Sequence, residues 1–440
     1  MKKRSLGNAL RAAVLLGTVL LGACVGDGAD ILTVPATANG GTLFTRYVAL
    51  GNSITAGYQS GGINDSLQQR AYPVLLAQRA GATNFTYPSI NNPGCPRPFL
   101  APLGTTGRVG TADRCSRANN PRILNNVAVP GERILDLLRF PTSVNLGKLH
   151  TLMVGERTQL RAMIESDPTF VSVWIGNNDA LEASVSGILG PQAAGADSTL
   201  TPLAAFQSRL NSVVDSIKLA APQGAMLIGV VNAVRAAPII QPGAYFYLAR
   251  DPATNRFNGK LVNANCSPVT ALGAPNPLAA NFVSFQIVAD ANFPEINCDP
   301  AAYPAGSPYL LTVQEATIVS QRVAQFNAAI EAAATANNWL YVDPNTILEG
   351  FRANKEAATG RYQFLRKCQD LATAATAAQF QAAVLNSCPV TGATAAPNFF
   401  GSLISFDGVH PSTSAHRILA GRFAAAINAK YGTTLSTSES

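Results

Sequence analysis

The stretch that decides the fold is Tyr47-Val48-Ala49-Leu50-Gly51-Asn52-Ser53-Ile54-Thr55-Ala56-Gly57. Its first four residues are apolar, as in a strand that is buried on both faces of a parallel sheet. The residues that follow are small and form a turn that carries one serine, Ser53. Open α/β sheets bind their ligands at the carboxyl ends of the strands. Ser53 is therefore a candidate functional residue.

Predicted strands and helices alternate along the rest of the chain. Apolar runs predict strands at 46–50, 123–129, 170–175, 225–231 and 339–342. Helical patterns predict helices at about 73–80, 132–138, 157–165, 202–217 and 313–337. A last helix is predicted from Ser412, its expected N-cap, onward. This alternation is typical of a parallel sheet with helices on both faces. We expect an α/β fold, a three-layer α/β/α sandwich around a mostly parallel sheet of five strands.

Three long segments interrupt this pattern, at about 86–121, 235–310 and 360–400. The first two are rich in Pro, Gly and Asn, the third is rich in Ala and Thr, and the chain has no internal repeat. We therefore expect one α/β domain over residues 44–432 that carries these segments as insertions, followed by a tail at 433–440.

The N-terminal residues are typical of an exported protein. A basic start precedes an apolar run at 12–21, which is too short to span a bilayer, and Leu21-Gly22-Ala23-Cys24 follows. This pattern predicts a lipoprotein signal over 1–23, a lipid on Cys24 and a tether over 24–43. The alternative is an ordinary signal peptide with an incidental cysteine.

The predicted cellular location and the net charge of the chain indicate which kinds of partner it can bind. Val25 occupies the position at which an inner-membrane retention signal would have Asp, so we expect the cell envelope, at the outer membrane or its periplasmic face. Loss of residues 1–23 removes four basic residues and no acidic one, which lowers the formal charge from +7 to +3. The remaining Lys and Arg form no cluster of the kind that binds nucleic acid. We expect a membrane partner through Cys24 and no nucleic-acid partner.

The lipid on Cys24 would use one of the seven cysteines. The other six lie in predicted loops, and sequential pairing gives Cys95–Cys115, Cys266–Cys298 and Cys368–Cys388. Six cysteines allow many other pairings, so this is the simplest solution for an oxidising compartment. The absence of any Cys-x-x-Cys argues against zinc knuckles and thioredoxin-type sites.

A serine hydroxyl becomes a good nucleophile only when a base takes its proton. Asp407-Gly408-Val409-His410, near the C-terminus, supplies both a base and a carboxylate that can orient it. The chain has three histidines, of which His150 is isolated and His416 lies in the last predicted helix. His410 is therefore the leading candidate for the base that serves Ser53.

Acyl transfer also needs hydrogen-bond donors for the oxyanion that develops on the carbonyl oxygen. Asn178, in Gly176-Asn177-Asn178-Asp179, follows a predicted buried strand and has a suitable amide. Gly131, after Pro130, can offer a backbone N–H without a Cβ in the way. Taken singly, each block also fits an ordinary turn, loop or helix cap.

The order of these blocks resembles the SGNH (GDSL-type) family of ester hydrolases, in a bacterial lipoprotein form. The resemblance implies a flavodoxin-like sheet and assigns roles to residues already identified: the nucleophile Ser53, the acid and base Asp407 and His410, and an oxyanion hole of Ser53, Gly131 and Asn178. Asn52 is a departure, since the family name implies Asp there. We expect it to change local hydrogen bonds and to leave activity intact.

The function we expect is serine-dependent hydrolysis of carboxylic esters, as an esterase or lipase, with no metal or cofactor. The substrate would be a small-molecule, lipid or acylated-glycan ester. A polysaccharide O-deacetylase is the alternative. The chain has only two tryptophans, so it offers little surface for stacking sugars, and this scarcity favours acyl or lipid esters. An inactive lipoprotein that binds a glycan or a partner is the rival of another class. The chain has no Gly-x-Ser-x-Gly elbow and no nucleotide-binding or zinc-protease motif.

Overall fold

The computed structural model describes residues 40–82, 84–191, 197–304, 306–351 and 400–439, together with positions 354, 376, 378 and 379. Several predicted features lie outside these residues: the signal peptide, the lipidation site Cys24, most of the tether, most of the 360–400 insertion and the Cys368–Cys388 disulfide.

Ten strands occur in the described residues: β1 (Tyr47–Gly51), β2 (Phe170–Trp174), β3 (Gly224–Ile228), β4 (Ile240–Pro242), β5 (Arg256–Phe257), β6 (Lys260–Val262), β7 (Phe282–Ser284), β8 (Glu295–Ile296), β9 (Leu310–Leu311) and β10 (Leu340–Val342). The α-helices there are α1 (Ser53–Ala56), α2 (Asp65–Gln68), α3 (Tyr72–Arg79), α4 (Val144–Val154), α5 (Gln159–Glu165), α6 (Asn178–Ser186), α7 (Leu203–Ala220), α8 (Ala233–Ala236), α9 (Gly243–Ala249), α10 (Val313–Ala336), α11 (Pro344–Phe351) and α12 (Thr413–Tyr431). Short 3-10 helices cover Gly41–Phe44, Pro102–Gly104, Ile134–Leu137, Ala264–Cys266, Pro277–Ala280, Phe285–Ala289 and Pro300–Ala302.

The central sheet is parallel and has four strands in the order β1-β2-β3-β10. Alternate residues of each inner strand face opposite layers, as the period of two requires. On one face Val48 and Val171 pack with Phe206 of α7. On the other face Tyr47 and Trp174 pack with α3 and α12. The predicted three-layer α/β/α architecture is therefore confirmed.

The prediction of five regular strands is not confirmed. Residues 123–129 lie along the free edge of β1 but make only one isolated bridge to it, between Ala49 and Asn126. Ala49 donates its N–H to the Asn125 carbonyl at 2.7 Å and accepts from the Val127 N–H at 2.9 Å. The side-chain amide of Asn125 also bonds the Tyr47 carbonyl at 2.8 Å. These side-chain bonds to backbone compete with a continuous ladder, which is why the apolar run does not extend into a strand.

The insertion at 235–310 contains more regular structure than its sequence predicts. Strands β4, β7 and β9 form one small sheet, and β5, β6 and β8 form another. These strands have only two or three residues each, too few to produce a visible period. A buried disulfide, Cys266–Cys298, joins its two halves. The predicted Cys95–Cys115 disulfide is also present, in the 86–121 insertion.

The sheet brings together the segments that carry the predicted chemistry. Ser53 begins α1 directly after β1, and Asn178 begins α6 shortly after β2. Residues 400–411 precede α12, whose N-cap is Ser412 as predicted. Across the described part of the chain, none of the helices combines the length and apolar character needed to cross a bilayer.

Candidate active site

Ser53 lies at a sharp strand-to-helix turn. Asn52 caps α1, with its side-chain oxygen accepting from the Ile54 N–H, and the helix ends after one turn at Gly57, whose φ is +85°. Gly51 permits this turn, since a Cβ there would lie 2.6 Å from the Trp174 carbonyl oxygen. The small residues of this stretch are therefore required by close packing. Ser53 itself is 7% exposed.

His410 joins Ser53 and Asp407 in one series of hydrogen bonds. Its Nε2 lies 2.8 Å from Ser53 Oγ, and its Nδ1 lies 2.8 Å from Asp407 Oδ2. An ionised carboxylate only accepts hydrogen bonds, so Nδ1 carries the proton and Nε2 is free to accept from the hydroxyl. The predicted nucleophile, base and orienting acid thus meet, although 357 positions separate Ser53 from His410.

Asp407 is held in its charged form. Burial would raise its pKa, but the electrostatic interaction with His410 and hydrogen bonds from His410 and Gly61 outweigh burial and lower the pKa to about 2. The Gly61 N–H donates to Oδ2 at 2.7 Å, and the Val409 N–H donates to Oδ1 at 2.9 Å. Asp407 is consequently an anion at neutral pH.

The loop after α1 fixes the C-terminal loop in place. The Ser60 N–H donates to Ser405 Oγ at 2.8 Å, and the Phe406 N–H donates to Ser60 Oγ at 3.2 Å. The Tyr58 ring packs against the His410 imidazole with 4.9 Å between centroids. The segment that carries the nucleophile therefore also positions the acid and the base.

Asn178 and Gly131 occupy different surroundings. One amide hydrogen of Asn178 bonds the Glu132 carbonyl at 2.8 Å, which leaves the second available because a side-chain amide has two donors. Gly131 is exposed in the turn after Pro130 and has a φ of +87°, a conformation that favours glycine. Asn178 lines the cavity beside Ser53, whereas Gly131 does not.

The sequence analysis missed a buried polar network behind these residues. Gln159 accepts from the Gly51 N–H at 3.0 Å and donates to the Gly51 carbonyl at 2.8 Å. It also donates to the Glu132 carboxylate, which bonds His150 Nδ1. All three side chains are fully buried. His150, isolated in the sequence, thus belongs to the support of the site.

Burial and the hydrogen bond between Glu132 and His150 shift the pKa values of both side chains. Burial raises the pKa of Glu132. Burial would lower the pKa of His150, but the hydrogen bond to Glu132, the Glu132 charge and the bond to the Arg157 carbonyl together outweigh burial and raise it. Since His150 Nε2 bonds the Arg157 carbonyl at 2.7 Å, both ring nitrogens have partners. No local sequence signal could reveal a pair separated by 18 residues.

Two further residues of the Gly-Asn-Asn-Asp block have structural partners. Asp179 accepts from the Ile134 N–H at 2.9 Å and from Thr201 Oγ1 at 2.8 Å, and burial raises its pKa to about 6. Asn177 accepts from the Val231 N–H at 2.8 Å, while its buried Nδ2 has no partner in the described residues. Acidic and amide residues next to a predicted site residue are the signal that could have identified them.

A cavity of about 90 Å³, partly open to solvent, adjoins the reactive groups. Its polar lining residues are Ser53, Asn177, Asn178 and His410. Its other lining residues are Ile54, Trp174, Leu181, Val231, Ala233, Ala236, Ala237, Pro344, Ile347, Leu348, Phe351, Leu403, Ile404, Val409, Pro411, Ala415, Ile418 and Leu419.

A family model described as GDSL-like lipase/acylhydrolase matches residues 47–423, which is most of the chain. The chain belongs to this family. The resemblance seen in the four sequence blocks is therefore confirmed, and this GDSL-like hydrolase is an enzyme that acts on ester bonds. None of the curated proteins shows a significant match.

The hydrolase is similar to several solved structures. One is a catalytic mutant of an acetylxylan esterase from Geobacillus stearothermophilus, with 14% identity, a TM-score of 0.34, and coverage of 87% of this chain and 93% of that one. A lipase from Streptomyces rimosus has 17% identity, a TM-score of 0.30, and coverage of 78% and 98%. A phospholipase A1 from Streptomyces albidoflavus NA297 has 17% identity, a TM-score of 0.29, and coverage of 78% and 96%.

Proposed function

We propose that this hydrolase cleaves carboxylic esters with Ser53 as the nucleophile, His410 as the base and Asp407 as the residue that orients the imidazole. The observation that supports the proposal is the continuous series of hydrogen bonds from Ser53 Oγ through His410 to Asp407, with both separations at 2.8 Å. Nucleophilic catalysis by serine requires this contact between hydroxyl and base.

In the first step Ser53 Oγ bonds the ester carbonyl carbon while its proton moves to His410 Nε2. The carbonyl π electrons move onto oxygen, then return as the bond between carbon and the alcohol oxygen breaks. His410 gives its proton to that leaving oxygen, which departs as the alcohol. Water then repeats the sequence on the acyl-enzyme, releases the acid and restores Ser53.

The oxyanion would be held by the backbone N–H groups of Ser53 and Gly131 and by the free amide hydrogen of Asn178. The N–H groups in the first turn of a helix have no acceptor within the helix, which suits Ser53 to this role. Asn178 is supported by its cavity-lining position and by its remaining donor. Donors fixed before the reaction need no reorganisation when charge develops.

The same proposal includes location and organisation. The basic start, the apolar run and Cys24 support an exported lipoprotein of the cell envelope, held at the membrane by its lipid. The Cys95–Cys115 and Cys266–Cys298 disulfides agree with an oxidising compartment. We propose a single hydrolase domain over 44–432 that carries three insertions.

The first test is covalent labelling by a small fluorophosphonate, together with hydrolysis of p-nitrophenyl butyrate. The protein from residue 25 onward should label and turn over the ester. Ser53→Ala should not label and should lose roughly 10⁴- to 10⁶-fold in kcat. Asp407→Asn should still bind substrate but lose roughly 10⁴-fold in kcat, because the imidazole then favours the wrong tautomer.

Ser212→Ala is the matched control, because Ser212 is exposed on α7 and bonds only within that helix. It should label and hydrolyse like the unaltered protein. Labelling of Ser53→Ala at a second serine with full turnover would refute the assignment of the nucleophile. A folded protein that neither labels nor hydrolyses any ester would favour the binding lipoprotein.

A further inference from the structure

The cavity beside Ser53 is almost entirely apolar. Its hydroxyl, amide and imidazole groups belong to Ser53, Asn177, Asn178 and His410, the residues nearest the chemistry. Among the residues that the structure describes, the rest of the lining is aliphatic, aromatic, alanine or proline, with no carboxylate, ammonium or guanidinium group. Binding of a hydrocarbon chain in such a cavity is favourable, because it removes apolar surface from water. The cavity has few groups that could form hydrogen bonds with a sugar.

The neighbouring polar cavity makes the contrast clear. It is lined in part by Arg235, Glu331, Asp343 and Glu349, but neither Ser53 nor His410 lines it. Ser53 and His410 both line the apolar cavity. A group bound there lies against the proposed nucleophile and base.

The acyl end of the ester suits this cavity better than the alcohol end. The acyl group stays bonded to Ser53 through both steps, so binding of its chain assists attack by the serine and attack by water. The alcohol must instead leave beside His410, whose ring packs on Tyr58. Burial, followed by the charge of Asp407, raises the pKa of Tyr58 to about 12, and the charge of Arg108 opposes this shift. Neither Tyr58 nor Arg108 lines the apolar cavity.

We propose that the apolar cavity binds the hydrocarbon chain of the acyl group. The substrates are then esters of fatty acids with a chain well beyond acetate, and O-acetyl groups on polysaccharide are poor substrates. This inference rests on the proposed function, since it takes Ser53 as the nucleophile. Each methylene that enters the cavity should raise kcat/KM about three- to fourfold until the cavity is filled.

Two ester series separate the acyl side from the alcohol side. The first keeps p-nitrophenol and lengthens the acyl chain from acetate to octanoate, below the concentrations at which the esters aggregate. The second keeps acetate and lengthens the alcohol from ethanol to octanol. We expect kcat/KM to rise through the first series and to stay nearly flat through the second. A flat acyl series, or a rise only with the alcohol, would overturn the proposal.

Variants of the lining test whether this cavity is responsible. Ala236 on α8 is partly exposed and lies between the apolar and the polar cavity, lining both, so Ala236→Phe narrows the apolar cavity without crowding the core. The ratio of octanoate to acetate turnover should fall by roughly tenfold or more, which corresponds to the loss of two or more bound methylenes. Leu181→Ala on α6 should move the preference toward longer chains. Ala329→Phe, at a partly buried alanine of α10 outside the cavity, should leave the ratio unchanged.

Fluorophosphonate labelling separates this inference from the proposed function. Labelling at Ser53 in every variant, with an unchanged octanoate to acetate ratio in Ala236→Phe and Leu181→Ala, would refute the acyl cavity alone. A folded enzyme without labelling at Ser53 would refute both proposals.

Discussion

Gln159 connects the first turn of the site to the buried network, because it bonds both the N–H and the carbonyl of Gly51. Gln159→Met keeps a similar volume but breaks these bonds and leaves Glu132 with one partner fewer. We expect the unfolding free energy to fall by about 2–4 kcal/mol, because buried backbone groups lose their partners. We also expect kcat to fall more than tenfold with little change in KM, since a misplaced nucleophile weakens the transition state more than binding.

Gln68→Met separates positioning from simple destabilisation. Gln68 is also a buried glutamine with two backbone partners, the Pro88 carbonyl and the Ile90 N–H, but it holds the 86–121 insertion. The Gln68→Met substitution should lower the unfolding free energy, measured in urea, by a similar amount. Its kcat should stay within a few-fold of that of the unaltered enzyme. An equal loss of kcat in both variants would show that Gln159 has no special role in positioning Ser53.

His416 predicts a pH dependence of stability. Burial, with a smaller effect of His410, lowers its pKa in the folded protein to about 3. The unfolded chain, with an ordinary pKa of about 6.5, takes up a proton first as the pH falls. The free energy of unfolding should therefore decrease by about 1.4 kcal/mol per pH unit as the pH falls from about 6.5 to about 3, from this group alone.

His416→Asn should remove this contribution. The asparagine oxygen can accept the Tyr72 N–H that His416 Nδ1 now accepts, but it does not titrate. Asp179 acts with the opposite sign, because its raised pKa of about 6 stabilises the folded state as the pH falls, and it is common to both proteins. Urea unfolding at about pH 7 and about pH 5 should show a smaller loss for the variant. Equal losses would contradict the prediction.

The start of α10 is an element whose stability the sequence explains. Thr312 and Glu315 form a reciprocal capping box, in which Thr312 Oγ1 accepts the Glu315 N–H and Glu315 accepts the Thr312 N–H. Thr312→Ala should cost about 1 kcal/mol in urea unfolding. Thr335→Ala, at an exposed site in the last turn of the same helix, should be within about 0.5 kcal/mol of neutral. Equal effects would show that the cap is unimportant.

Elements differ in how far their local sequence specifies them. The predicted helix at about 313–337 corresponds to α10, Val313–Ala336, and Ser412 caps α12, because caps and helical periods depend on near neighbours. The segment predicted as a strand at 123–129 is not a regular strand, because the side-chain amides of Asn125 and Asn126 donate hydrogen bonds to the backbone carbonyls of Tyr47 and Thr55. Helix α4 was missed altogether.

At the scale of the whole molecule, the Cys266–Cys298 disulfide joins the two halves of the 235–310 insertion across 32 residues. Replacing both cysteines by alanine should lower the unfolding free energy by about 3–4 kcal/mol, because the unfolded chain gains freedom. The same change at Cys95 and Cys115, which are less buried, should cost less, since less packing is lost. Thermal unfolding of both double variants compares them directly. A larger loss at the more exposed pair would contradict this ranking.

The sequence alone determined the α/β class, the three-layer arrangement, the family, and the candidate residues Ser53, Asp407 and His410. These features depend on short patterns, such as an apolar run that ends in small residues, and near neighbours decide them. Only the tertiary structure decided that Gln159, Glu132 and His150 support the site and that an apolar cavity adjoins it. Such contacts join residues far apart in the chain, and they arise because a polar group that packing removes from water must bond to the groups that the fold places beside it.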